Sequence, residues 1–446
     1  MSEITMAGQT LRDNTSQDIL FSLVRMSRRK RRMKQKSYNM KRARTFSEAA
    51  NRSASLQLYM QTQNEFITLV NAFAQKTDKQ AKRRIKLTPS PSHPIVPKER
   101  YSFRSSPSDP RSLFRFTEEE IRTIARTMNV PLWHTTASRD RFTIIEGLCI
   151  LCRRLVFPAR WTDLVSLFGR SKGPLSRIYG YMLNFILAKY SHLLEFRAER
   201  IRCKLREWAA AVARVCPNSY DNIFGFLDGT MRRTCRPRPD STKIPVGVTP
   251  DMIQRAQYDG RKKRHGFKYH ALIVPAGLIV HAYGPVDGRR HDVIVARRSG
   301  LLDELTNVYV DEVPYAIYAD SAYGISLHVQ TPFRKALAGT PEAQLNTCMA
   351  RARTVASECT YGIVTNQWQA VDYVRWQRMF RTHPAKQYLC AILLTNMQLC
   401  IRRTNQVAHF LGAQTKLPHL QIICRVSGIR RVFFYVGFCE ICMIRI

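Results

Sequence analysis

The sequence predicts the α/β fold class: a mixed α/β domain preceded by an all-α region and a disordered basic N-terminal arm. Three observations predict this order: a polar, basic composition in residues 1–110, helical spacing of apolar residues in 111–215, and strand-like runs among helices in 216–412. Residues 413–446 form an atypical tail that is apolar and rich in cysteine. The 446 residues leave room for two or three domains of ordinary size.

The charge balance is strongly basic, with 71 Lys and Arg against 33 Asp and Glu and a formal net charge of +38. Such an excess predicts binding to a polyanion, of which nucleic acid is the commonest. An anionic membrane surface is the rival partner, but the sequence shows no long basic amphipathic helix and no apolar run of about 18 residues. We therefore expect a nucleic acid partner and no membrane.

The 12 cysteines are scattered along the chain. Because no signal peptide is recognisable, we expect reduced, intracellular thiols. Two close pairs, Cys149 with Cys152 and Cys439 with Cys442, would suit zinc only if both came together in one compact module. Buried thiols are the favoured interpretation, and a zinc site is the alternative.

The N-terminal arm contains a dense basic run at residues 26–44. This run is typical of a nuclear localisation signal or of an arm that contacts the DNA backbone, although a solvated tail is the plainer interpretation. Apolar residues at helical spacing predict one helix at 55–73. Proline and serine then mark a linker at 86–100, which 105–110 extends.

The helical region begins with Thr117, which we expect to cap a helix together with Glu120, three residues later. A second helix is predicted to end before Pro158. Next, 162–168 is predicted to form a short helix, 169–172 a turn and 173–187 a longer helix.

Two helices joined by a glycine-containing turn are typical of a helix-turn-helix unit, in which the second helix reads DNA. The alternative is a purely structural helical bundle. On the DNA-reading hypothesis, three basic side chains at this turn contact nucleic acid: Arg170, Lys172 and Arg177.

From about residue 220 the pattern becomes mixed α/β. Strands are predicted at 223–228, 268–274, 278–283 and 315–320. The turn Pro275-Ala276-Gly277 predicts a hairpin between the second and third of these strands. Helices are predicted at 291–305, 345–368 and 384–403.

Two predicted strands end on a carboxylate, at Asp228 and Asp320. If the strands are parallel neighbours, both carboxylates lie at the carboxyl edge of the sheet, where sites of α/β proteins gather. Paired carboxylates favour a hard divalent cation such as Mg²⁺ or Mn²⁺. Glu358, on the apolar side of a predicted helix, is the preferred third ligand over Glu342. The alternative is that each Asp only forms a turn.

These stretches carry a resemblance to a known family. The region from about residue 114 to 412 resembles a Harbinger-type (PIF/Harbinger) DDE transposase, a DDE superfamily endonuclease. The matching motifs are FLDGT around Asp228, the block from Gln257 to Asp292, YADSAYG around Asp320, SECTYG around Glu358, and the helix KQYLCAILLTNMQLCI. After Glu358 the family usually has a basic or amide residue and Phe, where this chain has Cys359, Thr360 and Tyr361.

The resemblance implies a ribonuclease-H-like fold and a catalytic, metal-binding triad of Asp228, Asp320 and Glu358. It also implies two Mg²⁺ or Mn²⁺ ions, DNA terminal repeats and target DNA as partners, and a Myb-like DNA-binding partner protein. We further expect a homo-oligomer that acts in the nucleus.

Cations for the phosphate backbone are expected from two further stretches, for which a solvated basic loop is the alternative. They are Arg261, Lys262, Lys263, Arg264, Arg289 and Arg290. The adjacent His291 and Asp292 are interpreted equally well as helpers of a metal site or as the cap of the next helix.

The leading hypothesis is thus a transposase that hydrolyses DNA at element ends and joins the 3′-OH to target DNA. A domesticated or decayed copy that binds DNA in the nucleus without catalysis is the alternative. A nuclease that acts on RNA is a third hypothesis.

Overall fold

The computed structural model describes residues 99–104, 108–217, 219–238, 249–379, 381–403 and 405–412, all within the unit Lys86–Ile446. Several predictions lie outside these residues: the basic run at 26–44, the helix at 55–73, most of the two linkers, Cys439 and Cys442, and the tail at 413–446.

Residues 110–215 are mainly helical. The α-helices are α1 Pro110–Phe114, α2 Glu118–Thr127, α3 Ile144–Val156, α4 Val165–Phe168, α5 Lys172–Tyr190, α6 Ala198–Ile201 and α7 Leu205–Val215. A small antiparallel hairpin joins β1 Trp133–Thr135 to β2 Arg141–Thr143. Short 3₁₀ turns lie at Trp161–Leu164, Ser191–Leu194 and Arg202–Lys204.

The start of α2 confirms the predicted capping box. The Thr117 hydroxyl accepts a hydrogen bond from the Glu120 N–H at 3.2 Å, and the Glu120 carboxylate accepts one from the Thr117 N–H at 2.8 Å. Two orphan donors of the first turn are thereby satisfied. Ile121 and Ile124 of this helix are buried, as helical spacing requires.

The predicted pair of helices around Gly169 is also present. The 3₁₀ turn Trp161–Leu164 runs directly into α4, and α5 begins at Lys172 after the turn at Gly169. Buried side chains along α5, such as Leu175, Ile178 and Met182, pack this helix into the core.

The second half of the described chain supplies the main sheet. Its strands are β3 Ile223–Arg233, β4 Tyr258–Asp259, β5 Arg264–Ile273, β6 Ile279–Asp287, β9 Ala316–Ala319 and β10 Val329–Gln330, while β7 Tyr309–Val310 and β8 Val313–Pro314 form a separate hairpin. Its α-helices are α8 Pro250–Gln257, α9 Asp292–Arg298, α10 Leu301–Leu305, α11 Pro341–Gln367, α12 Pro384–Arg402 and α13 Gln406–Phe410.

The sheet is mixed, and its order is β6-β5-β3-β9-β10, with β4 paired to the start of β5. The pairs β6-β5 and β5-β3 are antiparallel, whereas β3-β9 and β9-β10 are parallel. The predicted hairpin at Pro275-Ala276-Gly277 joins β5 to β6. Helices α7 and α11 pack against the central strand β3.

Several predicted boundaries differ from the structure: β5 begins at Arg264 rather than 268, and β6 continues to Asp287 rather than 283. Strand β3 does not end at Asp228 but continues to Arg233, because Asp228 to Arg233 pair with β5. The helix predicted at 291–305 is broken into α9 and α10 by Gly300, which has a φ of 68° that side-chain-bearing residues rarely adopt. The helices predicted at 345–368 and 384–403 are confirmed as α11 and α12.

One continuous hydrophobic core includes side chains from both halves of the described chain. Arg154 of α3 lies between two indole rings, with its Cζ 4.1 Å from the ring centroid of Trp161 and 3.8 Å from that of Trp376. Burial lowers the pKa of Arg154 to about 10. Arg402 of α12 donates to both carboxylate oxygens of Glu120 at 2.8 and 2.9 Å. These contacts join residues 110–215, the helical segment, to the second half of the described chain, the sheet segment.

The cysteine and membrane predictions can be compared with the described residues. Cys149 and Cys152 are buried free thiols, and burial raises the pKa of both. None of the helices described here has the length and apolar character that crossing a membrane requires.

Candidate active site

Asp228 and Asp320 follow directly after paired residues of two neighbouring parallel strands. Leu227 of β3 is in register with Ala319 of β9, so the next residues of both strands are the two aspartates. Asp320 lies at the carboxyl end of β9, where Ser321–Tyr323 form a 3₁₀ turn. The carboxyl edge of parallel strands is the usual place for a site in a sheet of this kind.

The Asp228 carboxylate accepts two hydrogen bonds and forms one ion pair. Its Oδ1 accepts the Gly229 N–H at 2.8 Å and lies 3.2 Å from the Arg353 Nη1, and its Oδ2 accepts the Ser357 hydroxyl at 2.7 Å. The Tyr361 hydroxyl donates to the backbone carbonyl of Asp228 at 2.7 Å. Arg353, Ser357 and Tyr361 are spaced four residues apart on α11, so one helix face holds this carboxylate in place.

A further carboxylate, Asp292, lies over Gly229, the residue that follows Asp228 in β3. A Cβ atom built on Gly229 would lie 3.2 Å from the Asp292 Cγ, which shows that Asp292 lies directly over this glycine. The Lys268 ammonium lies 3.6 Å from the Asp292 Oδ1. Asp292 is the first residue of α9, so it is close to the helix N-terminus as well as to the site.

Tyr323 is close to all three aspartates. Burial raises the pKa of its hydroxyl, and the charges of Asp292, Asp228 and Asp320 raise that pKa further. Its hydroxyl oxygen is buried and makes no hydrogen bond. The Tyr323 hydroxyl is therefore a buried polar group without a hydrogen-bond partner at this edge of the sheet.

Glu358, the predicted third ligand, lies on α11 one residue after Ser357, and its side chain is exposed. Within the part of the chain that the structure describes, no three His, Cys, Asp or Glu side chains are grouped closely enough to hold a metal ion. The structure therefore brings Asp228 and Asp320 together but does not add Glu358 to them. Glu342 is exposed in the first turn of α11.

The basic residues predicted near Gly169 lie in different surroundings. The Arg170 side chain is only 8% exposed, pairs with Glu146 and donates to the Arg141 carbonyl at 2.7 Å. This arginine is therefore part of the internal packing and is not placed to contact a DNA backbone. Arg177 is more exposed but donates to both oxygens of Asp140, at 2.6 and 2.8 Å.

Lys172, in contrast, is exposed at the first position of α5 and pairs with no carboxylate among the described residues. It is the one of the three predicted basic side chains near Gly169 whose charge is available to an external anion.

The second basic stretch forms a turn between β4 and β5. Arg261, Lys262, Lys263 and Arg264 are all exposed there. The Asp259 Oδ1 accepts the N–H groups of Arg261 and Lys262, each at 2.9 Å, so it fixes the turn through its backbone. Burial alone would raise the pKa of Asp259, but these N–H groups and Lys268 lower it.

Lys268 links this turn to the other predicted basic stretch. Its ammonium lies 3.4 Å from the Asp259 Oδ2 and donates to the Arg290 carbonyl at 2.7 Å. The same ammonium faces Asp292. Arg289 is exposed, whereas Arg290 is partly buried and lies 3.9 Å from Asp287. The two basic stretches therefore adjoin each other and the aspartates.

Some residues of the site were missed or left undecided in the sequence. Asp292 was undecided between a cap and a metal helper, and Lys268, Tyr323, Arg353 and Ser357 were not singled out. The spacing of Arg353 and Ser357 was a usable signal, because residues four apart on a predicted helix share one face. Nothing local marks Lys268, because its partners are distant in sequence.

Comparison with known protein families identifies a related family. Residues 239–396 match the family described as DDE superfamily endonuclease, which is about a third of the chain. The match supports the DDE endonuclease superfamily for this stretch and includes Asp292, Asp320, Arg353 and Glu358. Asp228 lies ahead of it. Neither a curated protein nor a solved structure matches the chain.

Proposed function

We propose that this protein is a metal-dependent DNA endonuclease and transposase of Harbinger type. The observation that carries the proposal is that Asp228 and Asp320 directly follow Leu227 and Ala319, which are paired in the parallel strands β3 and β9. The match of residues 239–396 to DDE superfamily endonucleases supports nuclease chemistry at this edge. The sheet order, with antiparallel β6-β5-β3 followed by parallel β9 and β10, supports the ribonuclease-H-like fold that the resemblance implies.

The donors at this edge suit a hard divalent cation. Carboxylate oxygens are the ligands that Mg²⁺ and Mn²⁺ prefer, and the site offers them from Asp228 and Asp320. Glu358 is the proposed third ligand. A divalent cation held there would supply an activated water and charge stabilisation for the leaving 3′ oxygen.

Residues of the chain are proposed to orient the Asp228 carboxylate and to hold the DNA. The Gly229 N–H and the Ser357 hydroxyl hold the two oxygens of Asp228 in a fixed direction, so the carboxylate need not reorganise when the phosphodiester arrives. Tyr361 fixes the same residue through its backbone carbonyl. Exposed cations of the β4-β5 turn, with Arg289 and Lys172, are proposed to hold the DNA backbone.

The proposal extends to the biological reaction. After hydrolysis at an element end, the freed 3′-OH would be joined to target DNA, with terminal repeats and target site as the DNA partners. Nuclear localisation rests on the basic run at 26–44. A Myb-like partner protein and a homo-oligomer remain part of the proposal through the family resemblance.

The proposal is tested with DNA that carries the cognate terminal repeats and Mg²⁺. Asp228→Asn and Asp320→Asn are expected to lower cleavage at least about a hundredfold, because even outer-shell partners of a metal contribute about 10–100-fold. Asp221→Asn, an exposed aspartate just ahead of β3, is the control and should cleave as the wild type does. Equal cleavage by all four proteins would reject the proposal.

A second function is favoured by one observation, the exposed position of Glu358 outside the aspartate pair. It is a domesticated or decayed copy that binds DNA in the nucleus without catalysis. Purified protein that shifts terminal-repeat DNA in a gel but shows no Mg²⁺-dependent cleavage would establish this function instead.

A further inference from the structure

We infer that Arg353 is the resident cation of Asp228 and that a DNA phosphate must draw it away before a divalent cation binds there. The inference rests on the proposed function, because it assigns a role to Arg353 within the same site. It makes metal binding and DNA binding mutually dependent.

The position of Arg353 is the first observation. Its Nη1 lies 3.2 Å from the Asp228 Oδ1, and the two side chains are 22% and 20% exposed. Ser357, one helical turn further along α11, donates to the other oxygen, Oδ2. Arg353 therefore reaches Asp228 from a helix whose position is already fixed by Ser357 and Tyr361.

The second observation is that the acceptor sites of Asp228 are largely taken. A carboxylate offers about four lone-pair sites. The Gly229 N–H donates to Oδ1, which also pairs with the Arg353 guanidinium, and the Ser357 hydroxyl donates to Oδ2. A divalent cation approaching Oδ1 would meet the guanidinium, and two cations on one oxygen repel each other. The ion and Arg353 therefore compete for the same atom.

The third observation is that no second carboxylate of the described residues pairs with Arg353. Among the described residues, Asp228 is the only carboxylate that forms an ion pair with Arg353. The guanidinium then leaves Asp228 at low cost only if another anion takes its place. A phosphodiester is such an anion, because it accepts two parallel hydrogen bonds from an arginine.

The other charged groups around the site agree with an order in which DNA binds first and the divalent cation then binds Asp228. Asp292 is paired with Lys268, and among the described residues the Asp320 carboxylate accepts a hydrogen bond only from the hydroxyl of its neighbour Ser321, at 3.1 Å. Asp320 is therefore open to a cation from the start, whereas Asp228 becomes open when Arg353 moves. The geometry predicts weak metal binding to the free protein and stronger binding with DNA present.

The experiment is calorimetric titration of the full chain with Mn²⁺, with and without a short DNA duplex, after subtraction of a titration of the duplex alone. Arg353→Met removes the guanidinium and keeps a long side chain that suits a helix. Arg351→Met is the matched control. Arg351 is exposed on the same helix, and its substitution removes the same charge. Arg353→Lys retains the charge, so without DNA it should bind Mn²⁺ as weakly as the wild type, but it cannot give a phosphate two parallel hydrogen bonds.

Without DNA, Arg353→Met is expected to bind Mn²⁺ about tenfold more tightly than the wild type, within the usual range for coupled sites. DNA should tighten Mn²⁺ binding of the wild type and of Arg351→Met by a similar factor, and that of Arg353→Met by much less. Thermal unfolding of each variant shows that the fold is retained.

Two outcomes would overturn the inference in distinguishable ways. Equal Mn²⁺ affinities of wild type and Arg353→Met without DNA, while Asp228→Asn loses binding, would reject the role of Arg353 and leave the metal site standing. Mn²⁺ binding that is absent or unaffected by Asp228→Asn in every condition would reject the proposed metal site, and with it the inference.

Discussion

Arg170 and Arg353 each pair with a carboxylate, but in different surroundings. Arg170 and Glu146 are 8% and 11% exposed, and Arg170 also donates to a backbone carbonyl. Arg353 and Asp228 are 22% and 20% exposed, and Asp228 accepts hydrogen bonds from Gly229 and Ser357 besides its pairing with Arg353. The first pair is nearly closed to solvent, whereas the second is partly open to it and is the one for which we propose an exchange of the cation. The comparison teaches that an arginine–carboxylate pair is interpreted from its exposure and its other partners, not from the pair alone.

The largest expected change in the free energy of unfolding follows substitution of Arg170 in the Arg170–Glu146 pair. Arg170→Met should lower the free energy of unfolding by about 3–5 kcal/mol, because it leaves the Glu146 carboxylate buried without its cation. Arg353→Met should lower it by only about 1 kcal/mol, since Asp228 keeps the Gly229 N–H and the Ser357 hydroxyl. Urea unfolding of both variants measures the difference. Equal losses would remove the distinction between the two pairs.

An intermediate effect is expected for Arg177 and Asp140, whose side chains are 43% and 10% exposed. The hydrogen bond from Arg177 lowers the pKa of Asp140 below its usual value of 3.8. A depressed pKa stabilises the fold above the unfolded-state pKa, and this contribution is lost as the pH falls through the folded-state pKa.

Arg177→Met should therefore lower the free energy of unfolding by about 1 kcal/mol near neutral pH, and the loss should shrink as the pH falls below 3.8. Urea unfolding of wild type and variant across that range gives the measurement. Arg126→Met, which breaks a pair with both partners more than two-thirds exposed, should have almost no effect at either end. A pH-independent loss in Arg177→Met would contradict the assignment to Asp140.

The smallest effect on stability is expected for the exposed cations of the β4-β5 turn. Arg261→Gln and Lys262→Gln together should change the free energy of unfolding by less than about 0.5 kcal/mol, because only the backbone N–H groups hold the turn. If these side chains contact phosphates, the salt dependence of DNA binding should weaken by about one unit of slope for each. Arg206→Gln, at an exposed pair with Asp311, is the control and should leave the slope unchanged.

The sequence was most informative where one short stretch decides the structure. The capping box of Thr117 and Glu120 needs only residues three apart, and it is present. Asp320 at the end of an apolar run was also placed correctly, at the carboxyl end of β9. The end of β3 was not predicted correctly, because its last residues pair with β5, which comes much later in the chain.

The site shows the same limit. The pattern predicted that Asp228 and Asp320 would meet, because parallel strands bring their carboxyl ends to one edge. It could not show that Arg170 would face Glu146, since their meeting depends on how α3 packs against the turn at Gly169. The same dependence on packing explains why the partners of Lys268 were missed.

The cation between two indoles has a consequence for how the molecule can be observed. Trp161 and Trp376 come from distant parts of the chain but share the Arg154 guanidinium. They are two of the five tryptophans of the sequence. Loosening of the helical segment from the sheet would change the emission of both rings at once. The protein thus carries its own optical reporter of whether its two halves remain joined.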